Sequence, residues 1–229
     1  MKIIILFSGQ IRPIDANIFN DGLKLFTHGY DCEIYLDYWT ESGKSMNHDL
    51  NKDTNSNLDI KEYLREAFNG FNVKENIIHQ YSDLEQYNKL CHFQDSNDYD
   101  KRTKNSLKQL YLIEKSLERD FEDDDILIRA RFDSVFVTRF ESEVVKSRTI
   151  YNINSNLQYY PKRVYDIFFY GRSSAMKKLL GVYNNPEPYI ESTFKNGLDK
   201  RDACKILYCK FMSEGVIVND SSIAYCDVF

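Results

Sequence analysis

The sequence predicts an α/β fold in which a mostly parallel central sheet is flanked by helices, with a smaller, mixed C-terminal half. The first observation is the order of the predicted strands and helices along the chain. Over residues 1–131, short apolar runs alternate with amphipathic segments, giving strand, helix, strand, helix, strand, helix, strand. The second is the stretch at residues 125–131, where Ile126, Leu127 and Ile128 are apolar at successive positions, as in a strand that helices bury on both faces. A chain of 229 residues, 42% hydrophobic, is long enough for one domain, residues 1–229, with a full core.

Four strands and three helices are predicted in the first half. β-Branched and other apolar residues predict the strands, at residues 2–7, 32–39, 71–80 and 125–131. One-sided apolar spacing predicts the helices, at residues 15–28, 59–68 and 103–120. Asp59 is the expected N-cap of the second helix, and Gly29 and Gly70 are the expected ends of the first two.

The second half mixes helices with short strands. Helices are predicted at residues 140–148, 173–183, 186–196 and 200–214. Ser173 or Ser174 is the expected cap of the second of these. A strand is predicted at residues 164–170, and irregular structure or short strands at 149–160. Residues 216–219 and 223–228 are predicted to form a terminal hairpin or strand pair.

Charge and cysteine content exclude several classes of protein. The net charge of −5 leaves no basic footprint for nucleic acid. Five cysteines, an odd number without a Cys-x-x-Cys framework, indicate reduced thiols in a cytosolic-type compartment.

The apolar run at residues 3–7 is too short for a signal-peptide core or a membrane span, so we expect a cytoplasmic protein without a transmembrane segment. The four histidines are scattered, and the dinucleotide-binding and Walker phosphate-loop motifs are absent.

Charged residues follow two of the predicted strands at their carboxyl ends, where ligands bind in open α/β sheets. Arg12 comes soon after the first strand, behind Gly9, which lets the backbone approach a ligand closely. Arg129, Arg131 and Asp133 end the fourth strand, and alternation would place them on one face if the strand runs that far. Arg129, Arg131 and Asp133 provide two cations and one carboxylate, which suit a phosphate and a divalent ion. An Arg–Asp ion pair that closes the strand is an equal alternative.

Four segments in this order resemble a known group of enzymes. They are Ser8-Gly9-Gln10-Ile11-Arg12, Ile128-Arg129-Ala130-Arg131-Phe132-Asp133, Asp166-Ile167-Phe168-Phe169-Tyr170-Gly171 and Pro186-Glu187. Together they resemble small bacterial and viral sugar transferases, similar to capsule or lipopolysaccharide glycosyltransferases with the GT-A (Rossmann-like) fold. The resemblance implies a hexosyl or related transferase with a nucleotide-sugar donor, a glycan acceptor and usually Mn²⁺ or Mg²⁺. It also implies a nucleotide-sugar-binding half, residues 1–139, and an acceptor-side half, residues 140–229.

The resemblance assigns a role to each matching residue. The donor-binding residues it implies are Ser8, Gly9, Gln10, Arg12, Arg129 and Arg131. Asp133 is the implied metal ligand, with contact to the ribose as the alternative. The chain departs from the Asp-x-Asp signature common in GT-A enzymes, because Arg131-Phe132-Asp133 keeps only the last carboxylate. Either one Asp, phosphates and water hold the metal, or the arginines neutralise the diphosphate without one.

Asp166 and Glu187 are the candidate catalytic bases. An inverting transferase needs a carboxylate that takes the proton from the acceptor hydroxyl. Asp166 would break an otherwise apolar strand, which is costly unless the acid has a partner or a task, so it ranks first. The position of Glu187 at a helix start is explained by the helix dipole alone. Two other classes stay open: a non-catalytic nucleotide- or sugar-binding domain of the same fold, and another α/β nucleotide enzyme such as a nucleotidyltransferase.

Overall fold

The computed structural model describes residues 1–12, 14–40, 59–80, 84, 97–142, 145–152, 163–195, 203–220 and 225–227. Its strands are β1 (Ile3–Gly9), β2 (Cys32–Trp39), β3 (Asn72–His79), β4 (Ile126–Ala130), β5 (Ser134–Phe136), β6 (Thr149–Asn152), β7 (Phe168–Arg172), β8 (Ile217–Asp220) and β9 (Tyr225–Asp227). Its helices are α1 (Ala16–Phe26), α2 (Ile60–Ala67), α3 (Asn97–Leu117), α4 (Ser173–Met176), α5 (Glu187–Lys195) and α6 (Ala203–Ser213). A 3-10 turn, Lys177–Leu179, continues α4.

Within the described residues, the main sheet has seven strands in the order β3-β2-β1-β4-β7-β6-β8. The first four of these strands pair in parallel, β7 is antiparallel to both of its neighbours, and β8 is parallel to β6. The α/β class and the mostly parallel sheet predicted from the sequence are therefore confirmed. The four strands and three helices predicted in the first half are all present. Asp15 and Asp59 cap α1 and α2 by accepting backbone N–H bonds.

Helices cover both faces of the sheet, and the alternation within β1 shows how. Ile3, Ile5 and Phe7 point into a cluster with α1 and α2, whereas Ile4 and Leu6 point into a second cluster with α3 and α6. Every residue of β1 is buried, as expected for a central parallel strand. No helix among the described residues combines the length and apolar character that crossing a membrane requires.

The helix predicted at residues 140–148 is wrong for the described part of that range. The N–H of Phe140 donates to the carbonyl of Phe26, and its ring packs on Phe26 and Tyr170, which holds the start of this segment against α1 and β7. Arg148 has a φ of 56°, a left-handed conformation that no right-handed helix accommodates. Packing against the sheet overrides the helical pattern here.

The strand predicted at residues 164–170 is displaced towards the C-terminus. It begins at Phe168, so Asp166 and Ile167 lie in the turn that precedes it. The helix expected at residues 173–183 is a short α4 followed by the 3-10 turn, and Arg172 rather than a serine stands at its N-cap. The backbone N–H of Ser173 donates instead to the carbonyl of Asp125 at 2.7 Å.

The terminal hairpin predicted for the last strands is wrong. In the structure β8 joins the main sheet beside β6, with Ile217 opposite Thr149, whereas β9 pairs with β5 in a separate two-stranded sheet. The polar turn signal between the two strands is local, and partners distant in sequence decide the pairing. The helices predicted near residues 186–196 and 200–214 are confirmed as α5 and α6 over their described residues.

Candidate anion-binding site

Three chain segments meet at the carboxyl ends of the central parallel strands. β1 and β4 are neighbours in parallel register, so the residues that follow Gly9 and Ala130 leave the sheet side by side. β7 runs the other way, with Phe168 opposite Ala130, so the turn that contains Asp166 lies at the same edge. The backbone N–H of Arg131 donates to the carbonyl of Ile167 at 2.9 Å, which joins that turn to the end of β4.

Two arginines from different segments share one carboxylate at this edge. Asp133 accepts a 2.8 Å hydrogen bond from Nε of Arg131 and a second bond from Nη2 of the same guanidinium. It also accepts a 3.2 Å bond from Nη1 of Arg12, which lies 121 positions away in sequence. Arg12, Arg131 and Asp133, which the sequence places after the carboxyl ends of two strands, therefore meet at one carboxylate. We call these three residues the Arg12–Asp133–Arg131 cluster; two cations and one anion give it a net charge of +1.

The environment keeps Asp133 ionised. Burial, which leaves the residue 8% exposed, opposes the charged form and by itself raises the pKa. Arg131 and Arg12 outweigh that effect, so the pKa of Asp133 lies below its ordinary value of 3.8. Nearby, burial raises the pKa of Tyr63 to about 12; a bond from the Ile14 N–H opposes this rise, while Asp133 adds to it. The cluster is thus a fixed set of charges at neutral pH.

Arg12 has donor capacity that its ion pair does not use. Its side chain is 17% exposed, so solvent and solutes reach it. Its Nε atom is buried and has no hydrogen-bond partner among the described residues. A guanidinium presents five N–H donors in a planar fork that matches phosphate and carboxylate oxygens. Arg12 can therefore donate to an oxyanion while it also donates to Asp133.

Gly9 is required by its backbone conformation. Its φ of 139° is one that L-residues with a side chain rarely adopt. A Cβ at this position would lie 3.9 Å from Cγ of Arg131, an ordinary contact, so the torsion and not the space selects glycine. Gln10 follows it and is partly buried. The glycine thus turns the chain out of β1 directly beside Arg131.

Ser8 and Arg129, which the resemblance assigns to donor binding, are both buried. Arg129 is 1% exposed; its Nε donates to Oγ of Ser8 at 3.1 Å and its Nη2 to the carbonyl of Ser8 at 2.9 Å. Because β4 ends at Ala130, the alternation does not continue to Arg131 and Asp133, and the expected common face is not formed. Arg129 instead ties β4 to β1 below the cluster.

The two candidate bases lie in different surroundings. Asp166 is 7% exposed, and its Oδ1 accepts a 3.2 Å bond from the thiol of Cys204 near the start of α6. Its Oδ2 is buried without a hydrogen-bond partner among the described residues. An unsatisfied carboxylate oxygen is costly, so Oδ2 is an acceptor site for a hydroxyl or a cation. Glu187 is the first residue of α5 and partly exposed, where the helix dipole favours a negative charge.

The donor atoms of the cluster do not fit a divalent metal. Asp133, the expected ligand, has Oδ1 bonded to Arg131 and Oδ2 bonded to both arginines. A metal ion would have to displace guanidinium groups and then sit beside two positive charges. The part of the chain that the structure describes contains no group of three or more His, Cys, Asp or Glu side chains that could hold a metal. The geometry therefore favours the arginine-only alternative.

An ion network that sequence reasoning missed lies one strand away. Asp37 of β2 stands opposite Ser8 in register and is 1% exposed. It accepts bonds from Nη1 and Nη2 of Arg119, at 2.8 and 3.2 Å, and its Oδ1 lies 3.0 Å from Nε2 of His79. The exposed carboxylate of Glu75 lies 2.6 Å from Nε of Arg119. The signal was present in the sequence, because Asp37 interrupts the apolar strand Cys32–Trp39.

Comparison with known proteins adds no assignment to this geometry. A scan against protein-family models and a search of curated proteins both found no match for the chain.

Proposed function

We propose that the protein is a glycosyltransferase that moves a sugar from a nucleotide-sugar donor to a glycan acceptor, in surface polysaccharide or glycoprotein synthesis. The observation that carries the proposal is the Arg12–Asp133–Arg131 cluster at the carboxyl ends of β1 and β4. This edge is where open α/β sheets bind nucleotides, and the cluster has the net positive charge that a diphosphate needs. The GT-A type of fold is part of the proposal.

The main requirement of the reaction is stabilisation of the negative charge that develops on the leaving group. As the bond between the anomeric carbon and the phosphate oxygen breaks, the electron pair goes to the nucleoside diphosphate. Preorganised cations that meet this developing charge lower the barrier. Arg12 and Arg131 supply them, and Asp133 holds the two arginines together until the donor binds.

Asp166 is the proposed base. The acceptor hydroxyl attacks the anomeric carbon, forms the new glycosidic bond and gives its proton to Oδ2 of Asp166, the buried oxygen that lacks a partner among the described residues. The turn that carries Asp166 is tied to the end of β4 through the bond between Arg131 and Ile167. Base and leaving-group cations are therefore presented from one edge of the sheet. A cytoplasmic location completes the proposal, supported by the odd number of cysteines and the lack of a Cys-x-x-Cys framework.

A thermal-shift panel tests donor binding. Nucleoside diphosphates and nucleotide sugars are compared, each with chelator and with Mn²⁺. A ligand at about 100 times its dissociation constant should add roughly 2.7 kcal/mol to the free energy of unfolding. We expect at least one nucleoside diphosphate to stabilise the protein in chelator as well as in Mn²⁺. If no member of the panel stabilises it under either condition, the proposal is wrong.

A second candidate is a non-catalytic nucleotide- or sugar-binding domain. The observation that favours it is the pairing of Asp133 with two arginines, which leaves no carboxylate of the Arg131-Phe132-Asp133 segment for a metal. Both candidates bind nucleotide, so affinity does not separate them. The two candidates are separated by measuring how fast nucleoside diphosphate is released from the nucleotide sugar that stabilises the protein most. Wild-type release above that of Asp166→Asn supports the transferase, and equal release by the two supports the binding domain.

A further inference from the structure

We propose that Asp133 is a resident counter-ion that occupies, on Arg12 and Arg131, the place of a ligand diphosphate, and that the ligand displaces it from Arg12. Asp133 thereby sets how tightly the site binds anions. This inference deepens the proposed function, on which its choice of a diphosphate rests. If Asp133 is a counter-ion, neutralising its carboxylate strengthens anion binding. If it is a metal ligand, neutralising it weakens anion binding.

The contacts of Asp133 resemble those of a bound oxyanion. Its two oxygens receive three hydrogen bonds from two guanidinium groups that belong to different segments of the chain. Two non-bridging oxygens of a phosphate group, although the group is tetrahedral, offer a guanidinium the same pair of charged acceptors. Cations without an anion would be unfavourable at this partly buried edge, where the two side chains are 17% and 15% exposed. Asp133 supplies the missing charge when no ligand is present.

The two arginines hold Asp133 unequally. Arg131 is two residues away and bonds to both carboxylate oxygens, whereas Arg12 reaches it from the segment after β1 with one bond of 3.2 Å. Arg12 also has a buried Nε without a hydrogen-bond partner among the described residues. Its single bond to Asp133 is thus the easier one to exchange, and its spare donors are the ones to receive a phosphate oxygen. Arg131 and Asp133 then stay together as the anchored side of the site.

Charge gives the sign of the expected effect. The cluster carries +1, from two arginines and one aspartate, and Asp133→Asn raises this to +2. The neutral amide oxygen is a weaker acceptor for Arg12 than a carboxylate and does not repel the phosphate, so anion affinity should rise by at least about tenfold, equivalent to about 1.4 kcal/mol. A metal ligand behaves in the opposite way, because its loss removes the cation that bridges protein and phosphates.

The test is calorimetry with inorganic pyrophosphate and with nucleoside diphosphates, in chelator and in Mn²⁺. Wild type is compared with Asp133→Asn and with Glu75→Gln, a control that also removes a carboxylate bonded to an arginine, but outside the cluster. We expect Asp133→Asn alone to bind pyrophosphate at least about tenfold more tightly in chelator. Unchanged or weaker binding, binding that needs Mn²⁺, or an equal gain in Glu75→Gln would overturn the inference.

Two further outcomes keep the inference separate from the proposed function. Tighter pyrophosphate binding by Asp133→Asn, with no nucleoside diphosphate bound by either protein, supports the counter-ion and contradicts the nucleotide-sugar donor. If neither protein binds pyrophosphate, the counter-ion itself is wrong.

A second measurement does not depend on the folding of Asp133→Asn. In ¹⁵N-labelled wild type, the Nε–H signal of Arg12, assigned with Arg12→Lys, should move on addition of pyrophosphate. The Nε–H signal of Arg119, which serves the separate network around Asp37, should not. An Arg12 signal that stays in place at saturating pyrophosphate would overturn the inference.

Discussion

Removal of Arg12 should weaken nucleotide binding and leave the fold intact. In Arg12→Ala the site loses a guanidinium whose only hydrogen bond to Asp133 is 3.2 Å long and whose Nε has no partner among the described residues. Asp133 keeps both bonds from Arg131, so its charge stays compensated. A hydrogen bond to a charged group is worth about 1.5–3 kcal/mol. We therefore expect nucleoside diphosphate affinity to fall by roughly 10- to 150-fold.

Isothermal titration calorimetry in chelator measures this loss directly. Arg139→Ala is the matched control, because Arg139 is an exposed arginine that lies over the ring of Tyr30, outside the cluster. It removes the same charge and should leave affinity unchanged. Equal weakening by both variants would show that only net charge matters, and unchanged affinity in Arg12→Ala would refute the proposed contact. A thermal melt of each variant without ligand separates lost binding from lost folding.

The remaining carboxylates should respond in different ways. Asp166→Asn should slow turnover at saturating donor by about 10²–10⁴-fold with nucleotide affinity largely kept, and Glu187→Gln should not; the reverse order would move the base to Glu187. In denaturant titrations, Asp37→Ala should lower the free energy of unfolding by about 3–5 kcal/mol, because it leaves the guanidinium of Arg119, whose side chain is only 12% exposed, without its main partner. Glu75→Gln, at the exposed end of that network, should cost less than about 1 kcal/mol, and equal losses would contradict the burial of Asp37. Because the folded-state pKa of Asp133 lies below 3.8, its stabilisation is present above that pH and is lost as the pH falls through the folded-state pKa. The stability difference between wild type and Asp133→Asn should therefore shrink below about pH 4, and a difference constant from about pH 5 to pH 2 would contradict the ion pairs.

The parallel half of the sheet could be predicted because its signals are local and agree with one another. β1 and β4 are short apolar runs buried on both faces, and α1 and α2 have an aspartate cap and a one-sided apolar pattern. The pairing of the last strands could not be predicted in this way. β8 finds its partner in β6, and β9 in β5, so contacts between distant segments override the turn signal between them.

The site shows the same division. The meeting of Arg12 with Arg131 followed from two parallel strands that end at one edge, a property of the sheet that holds for any side chain. The role of Arg129 did not follow, because β4 ends at Ala130, three residues before Asp133, and the alternation that would place these side chains on one face is interrupted. The rule that an acid inside an apolar strand has a partner or a task does not apply to Asp166, because Asp166 lies in the turn before β7. It holds for Asp37, which is inside β2 and bonded to Arg119.

The proposed function requires that a nucleoside diphosphate binds on the arginines of the cluster. A crystal structure of the protein with the nucleoside diphosphate that stabilises it most tests this directly. We predict phosphate oxygens about 2.7–2.9 Å from guanidinium nitrogens of Arg12 and Arg131, with the Arg12–Asp133 contact longer than its present 3.2 Å. A diphosphate bound elsewhere, with the Arg12–Asp133 pair unchanged, would contradict it.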